Sequence, residues 1–158
     1  AGGFLALSFV NKLSKEDYPL PAAVLAMAPI ADFTFDSDTY TTLGEVDPQM
    51  NVKLFSNITM KMLGITDEMA ESSEYSIVKD DFTGRPYPPT MFQVGTKEAL
   101  LSDATRMYSK FREAGITTEI DPHDAMIHCF HTFYNTPEAK LATKRSAEWF
   151  NKFMNLKQ

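Results

Sequence analysis

The sequence predicts an α/β fold, a mostly parallel sheet flanked by helices, on three observations. Two short apolar runs, residues 22–30 and 89–95, lack polar alternation and end on loop-forming residues. A strand covered on both faces reads that way, whereas a half-solvated strand alternates. Segments with helical spacing of apolar residues stand before, between and after these runs, and strands alternating with helices point to a parallel sheet. The predicted order is helix, strand, long insertion, strand, helix, strand, loop, helix. That is few strands for a doubly wound domain, so the 158 residues read as part of something larger.

Each element has its own reason. Ala1-Gly2-Gly3 gives the backbone room for a tight turn or a close approach. It feeds a largely apolar helix over 3–13, of the kind buried against a sheet, which Pro19 and Pro21 keep from continuing. Entry on such a turn, with no polar lead-in, predicts a chain joined in its middle. The run Ala22–Ile30 is a buried strand, and Pro29, Asp32 and Thr34 mark its carboxyl end. Residues 36–50 read as a polar loop with Gly44 and Pro48, followed by a helix over about 50–63 that Gly64 stops. Residues 66–89, acidic and then proline-rich, read as an excursion rather than core. The whole stretch 36–88 is accordingly a cap-like or loop insertion in a single partial domain, 1–158.

Pro89–Gly95 is the second buried strand, and Thr96-Lys97-Glu98 the loop after it. Ser102-Asp103 caps a helix to Glu113 that Ala114-Gly115 closes. Residues 116–120 form a short, more exposed strand. A loop over 121–133 holds all three histidines, and Pro137 begins an amphipathic helix that runs to the end.

Composition removes several functional classes. With 44% hydrophobic and 12% aromatic residues the chain can build a core. A net charge of −6 with scattered cations argues against nucleic acid as a partner. No apolar stretch reaches the roughly 18 residues of a membrane helix, and the apolar start lacks a basic leader. The single cysteine, Cys129, excludes an internal disulfide and zinc-type Cys spacing. It fits a reducing compartment, so the expected location is cytoplasmic. His123, His128 and His131 match no common ligand spacing, and neither a metal nor a cofactor is expected.

Functional groups of an open α/β sheet gather at the carboxyl ends of its strands. Three places qualify: the turn at Ala1-Gly2-Gly3, Glu98 just past Gly95, and His128 just past the last strand. A carboxylate followed by a histidine, each after its own strand, is the chain order of an acyl-transfer triad whose nucleophile comes first. Asp103 competes for the acid role, although capping explains it better. His123, nearer the strand, and His131, close to the last helix, compete for the base role. Cys129 reads as a small core filler. Residues 50–63, with Met50, Met60 and Met62, read as cap or core packing, with a flexible acyl pocket as the functional alternative.

Taken together, these motifs resemble the second half of an α/β-hydrolase of the hormone-sensitive-lipase-like carboxylesterase family. Ala1-Gly2-Gly3-Phe4 is similar to the part of the family's Gly-Asp-Ser-Ala-Gly-Gly elbow after the serine. Pro29–Thr34 resembles its Pro-x-x-Asp-Leu-Thr segment, and Pro88–Gly95 the strand leading to its acid loop. Glu98–Asp103 resembles acid-x-Leu-x-Asp-Asp, with glutamate for the commoner aspartate and Ser102 for the first trailing aspartate. Met126–Phe130 resembles its His-x-Phe motif, with Cys129 at the variable position.

The resemblance implies a serine carboxylesterase working through a Ser-His-Glu triad on small acyl esters. His128 would be the general base, Glu98 its orienting carboxylate, and the backbone N–H of Ala1 an oxyanion donor. The serine would lie just upstream of residue 1, so these residues alone would be inactive and would need the amino-terminal half of the same fold as partner. The last strand and helix lie near a sheet edge where related enzymes can form homodimers. Two alternatives keep the same fold. One is a non-catalytic small-ligand binding protein. The other is a serine peptidase, which Ala1 disfavours because such elbows commonly carry a bulkier residue there.

Overall fold

Three parallel strands carry the architecture. In the computed structural model, which describes residues 1–154 apart from the Thr59 side chain, they are β1 (Val24–Met27), β2 (Thr90–Gly95) and β3 (Thr118–His123), in the order β1-β2-β3. Val24 pairs with Thr90 and Thr90 with Thr118, and the register runs on until Gly95 faces His123. The carboxyl ends of β2 and β3 therefore lie side by side. β2, between two partners, is buried at every position. The outer edge of β1 has no strand partner among the described residues.

The helices follow the predicted pattern with shifted ends. α1 (Gly2–Lys15) buries Leu7, Val10, Asn11 and Ser14, one stripe at helical spacing, while Leu5 and Phe9 face outward. Gly3 is the point of closest approach: a Cβ there would meet the Pro29 Cα at 2.8 Å and the Met27 carbonyl oxygen at 2.9 Å. α1 and α5 (Leu101–Glu113) share one apolar cluster with the sheet, in which Leu7 and Val10 join Val24, Ala26, Phe92, Val94, Met107 and Phe111. α6 (Pro137–Phe153) covers the other face. Gln93, pointing that way, donates to the Ala142 carbonyl of α6 at 2.8 Å. The expected continuation of this helix through 155–158 lies outside the described residues.

Three local expectations are corrected. Residues 36–50 are not wholly loop, because Asp38–Thr42 form the short helix α2. Five residues are too few to show a helical period, and tertiary bonds hold them. The Thr39 hydroxyl donates to the Ala99 carbonyl at 2.7 Å and accepts the Ser102 N–H at 2.9 Å. The excursion at 66–89 is not outside the core along its whole length. After α3 (Val52–Leu63) and the short α4 (Asp67–Ala70), the chain returns, and Ile77, Val78 and Phe82 enter the main apolar cluster. Phe82 stacks edge-on against Phe111 and Tyr87, and truncating such a side chain costs about 3–5 kcal/mol.

Ser102-Asp103 do not cap α5: Leu100 holds the cap position and no side chain bonds there. Both residues lie in the first turn, where Ser102 accepts the Thr39 N–H of α2 at 3.1 Å and Asp103 faces the loop after β1. The fully buried Asp103 carboxylate accepts N–H bonds from Ala31 (2.7 Å) and Asp32 (3.1 Å) and the Tyr40 hydroxyl (2.8 Å). Gly64 does end α3, in the left-handed conformation at φ 64°.

Candidate active site

The site is built where β2 and β3 end. Past Gly95 the chain turns through Thr96-Lys97 to Glu98. Past His123, which ends β3, it turns through Asp124–Ile127 to His128. The two loops cross closely: Lys97 N–H donates to the Met126 carbonyl at 2.9 Å, and Thr96 N–H to that of His123 at 3.0 Å. A Cβ on Gly95 would stand 2.1 Å from the Met126 carbonyl oxygen, so only glycine allows the histidine loop to lie across the end of β2.

This crossing brings Glu98 and His128 together. Nδ1 of His128 lies 3.4 Å from Oε1 of Glu98, and the other carboxylate oxygen accepts the Gly95 N–H at 2.7 Å. Glu98 is wholly buried, and the imidazole keeps a small exposed edge. A second apolar cluster lies behind the acid loop. In it Ala99 and Leu100 pack with Ile30, Phe33, Tyr40 and Met50.

Burial pushes the Glu98 carboxyl above its ordinary range, against the pull of the His128 and Gly95 hydrogen bonds. For His128 burial works the other way and would lower it, but hydrogen bonds with Cys129 and Glu98 prevail and raise it to about 9. The pair is therefore arranged to hold a proton on the imidazole, which is what a base needs its carboxylate to do once it has taken one.

The rival residues are placed elsewhere. His123 belongs to β3 rather than to the loop. It is buried, its Nε2 is 3.0 Å from Asp121 Oδ2, and its ring stacks near Phe130. His131 also lies against Phe130, and burial, aided by the charge of His123, lowers it to about 4. Asp103 serves the loop after β1. Cys129 is not a core filler: it is half-buried, adopts a left-handed φ of 53°, and sets its sulfur 3.2 Å from His128 Nε2. The reason is the turn itself, which lifts the residue after His128 out of the core while Phe130 takes the buried position. Ala1 holds the N-cap position of α1, where its carbonyl accepts the Leu5 N–H at 3.1 Å.

Asp47, buried between α2 and α3, accepts the N–H of Ala99 at 3.2 Å and that of His128 at 3.3 Å on a single oxygen. No motif marks it, because its partners lie more than fifty residues away. A cavity of about 800 Å³ beside α2 and α3 is lined by Phe33, Phe35, Val52 and Met60 together with polar residues such as Asp36, Glu45, Lys53 and Lys61, and by neither Glu98 nor His128. Met60 faces this cavity while Met62 is exposed and Met50 is core, so the three methionines have three different settings. Among the described residues no group of three or more His, Cys, Asp or Glu side chains is placed to hold a metal ion, and no helix is long and apolar enough to cross a membrane.

Known proteins share this arrangement of elements. An esterase of Acinetobacter venetianus is 29% identical over 150 residues, covering 94% of this chain and 48% of that protein. An acetyl-hydrolase of Streptomyces hygroscopicus is 27% identical over 143 residues, covering 90% of this chain and 46% of the relative. The crystal structure of an esterase from the bacterial hormone-sensitive lipase family superimposes with a TM-score of 0.89 at 29% identity, over 98% of this chain and 51% of that one. That of EstE5 soaked with p-nitrophenyl butyrate gives 0.86 at 29% identity, over 96% and 50%. The chain thus spans about half the length of the relatives it matches. The family model described as the alpha/beta hydrolase fold matches residues 1–132, and the chain belongs to that family.

Proposed function

We propose that this chain supplies the acid and the base of a serine carboxylesterase acting on small acyl esters. The observation that carries the reading is the Glu98–His128 pair at the adjoining ends of β2 and β3. The nucleophile is a serine immediately before Ala1, at the turn that feeds α1. Its hydroxyl reaches His128 at Nε2, the ring nitrogen turned away from Glu98.

In the reaction the serine oxygen attacks the ester carbonyl while His128 takes its proton. Glu98 stabilises the imidazolium, and the backbone N–H of Ala1 donates to the oxyanion. The tetrahedral intermediate collapses as His128 returns the proton to the leaving alcohol. Water, activated by the same imidazole, then releases the acid.

The amino-terminal half of the fold completes the protein. It covers the open edge of β1 and the apolar surface formed by Phe9, Leu13, Leu20 and Leu25. Residues 1–158 by themselves have no turnover. The test is hydrolysis of p-nitrophenyl butyrate by the intact protein, set against the corresponding anilide and against residues 1–158 alone. Ester turnover that disappears on labelling of the serine by a sulfonyl fluoride supports the reading. Binding without turnover favours the ligand-binding alternative, faster cleavage of the amide favours the peptidase, and turnover by residues 1–158 contradicts the proposal.

A further inference from the structure

We propose that Asp47 is a positioning residue for the Glu98–His128 pair, one carboxylate oxygen tying the acid loop to the histidine loop. The inference rests on the reading above for its catalytic consequence, but not for its structural one. Oδ2 accepts from Ala99, the residue after Glu98, and from His128 itself, at 3.2 and 3.3 Å. Oδ1 accepts from Gln49 N–H at 3.0 Å, which fixes the carboxylate in its own turn. Asp47 is only 4% exposed, and among the described residues no lysine or arginine pairs with it.

A buried carboxylate with backbone amides as its partners is costly to desolvate and is held by charge-assisted bonds. It also stands by the amino-terminal end of α5, which lacks a side-chain cap, where a negative charge is favoured. Other bonds join the two loops, but they act at Thr96, Lys97 and Met126, upstream of both functional side chains. Asp47 acts on His128 and on the neighbour of Glu98. That matters because 3.4 Å is already a long contact for the pair, so a small outward drift of either loop breaks it. Misplacement by about 1 Å can cost on the order of a hundredfold in rate.

The test uses the intact protein with Asp47→Ala and Asp47→Asn. Asparagine keeps an oxygen for the two amides while removing the charge. NMR titration of the His128 imidazole and kcat with KM for p-nitrophenyl butyrate are the readouts. Asp47→Ala is expected to move the titration midpoint down by about one unit and to lower kcat at least about tenfold with KM nearly unchanged. Asp47→Asn, which keeps the acceptor and loses the charge, is expected to fall between the parent and Asp47→Ala in both.

An Asp47→Ala protein with the parent titration overturns the inference, as does Asp47→Asn impaired equally with Asp47→Ala. Should alanine prevent folding, Asp47→Ser, too short to reach both amides, is judged by the same criteria. In the parent protein the Ala99 and His128 amides must both be protected from hydrogen exchange, and free exchange at either overturns the inference without any variant. Absence of ester turnover in the parent would sink the esterase reading alone, since titration and exchange still decide the role of Asp47.

Discussion

A single carboxylate, that of Glu98, serves two masters: Oε1 faces His128 Nδ1 at 3.4 Å while Oε2 accepts the Gly95 N–H at 2.7 Å. The second bond anchors the acid to the end of β2, and the first presents it to the imidazole that follows β3. Orientation and charge stabilisation therefore come from one group fixed to the sheet.

Glu98→Gln in the intact protein keeps the shape and removes the charge. It is expected to lower kcat for a p-nitrophenyl ester by about 10²-fold or more, with KM nearly unchanged. The His128 imidazole should then titrate closer to its ordinary value of 6.5. Steady-state kinetics and an NMR titration check both parts. Parent-like kcat in this variant would remove Glu98 from the mechanism.

Proton binding at His128 has a defined sign. Its value in the folded protein, about 9, lies above the ordinary 6.5. The group therefore contributes stability that is fully present below about 6.5 and is lost as pH rises through about 9. The acid limb of kcat/KM should correspondingly lie in the alkaline range. Cys129→Ala removes one of the two hydrogen bonds that raise the value, so both the limb and the midpoint should move to lower pH. A pH–rate profile unchanged by Cys129→Ala would show that the thiol does not act on the imidazole.

Gly95→Ala tests the crossing of the two loops. The added methyl group would stand 2.1 Å from the Met126 carbonyl oxygen, which belongs to the backbone and cannot rotate away. A loss of about 3 kcal/mol in stability is expected, together with displacement of His128. Denaturant unfolding checks the first and the His128 titration the second.

The legible parts of this fold are those with local signals. The apolar runs gave β1 and β2, Gly64 gave the end of α3, and Pro137 gave the start of α6. Glu98 and His128 were placed by motifs that lie next to strands, and the structure brings the two side chains together. What could not be read depended on distant partners. Asp103 looked like a cap because Ser-Asp before a helix usually is one, yet its acceptors serve Ala31 and Asp32, more than seventy residues away. Ile77, Val78 and Phe82 were hidden among acidic and proline-rich neighbours, although they pack with Phe111. The size of Cys129 suggests a core filler, whereas its setting follows from a left-handed turn that composition does not reveal.

The most direct test of the central claim is the turnover of p-nitrophenyl butyrate by the intact protein before and after His128→Ala, with folding monitored by circular dichroism. A folded His128→Ala protein that has lost at least about 10²-fold in kcat is the predicted result. A folded variant that hydrolyses the ester at the parent rate would contradict it.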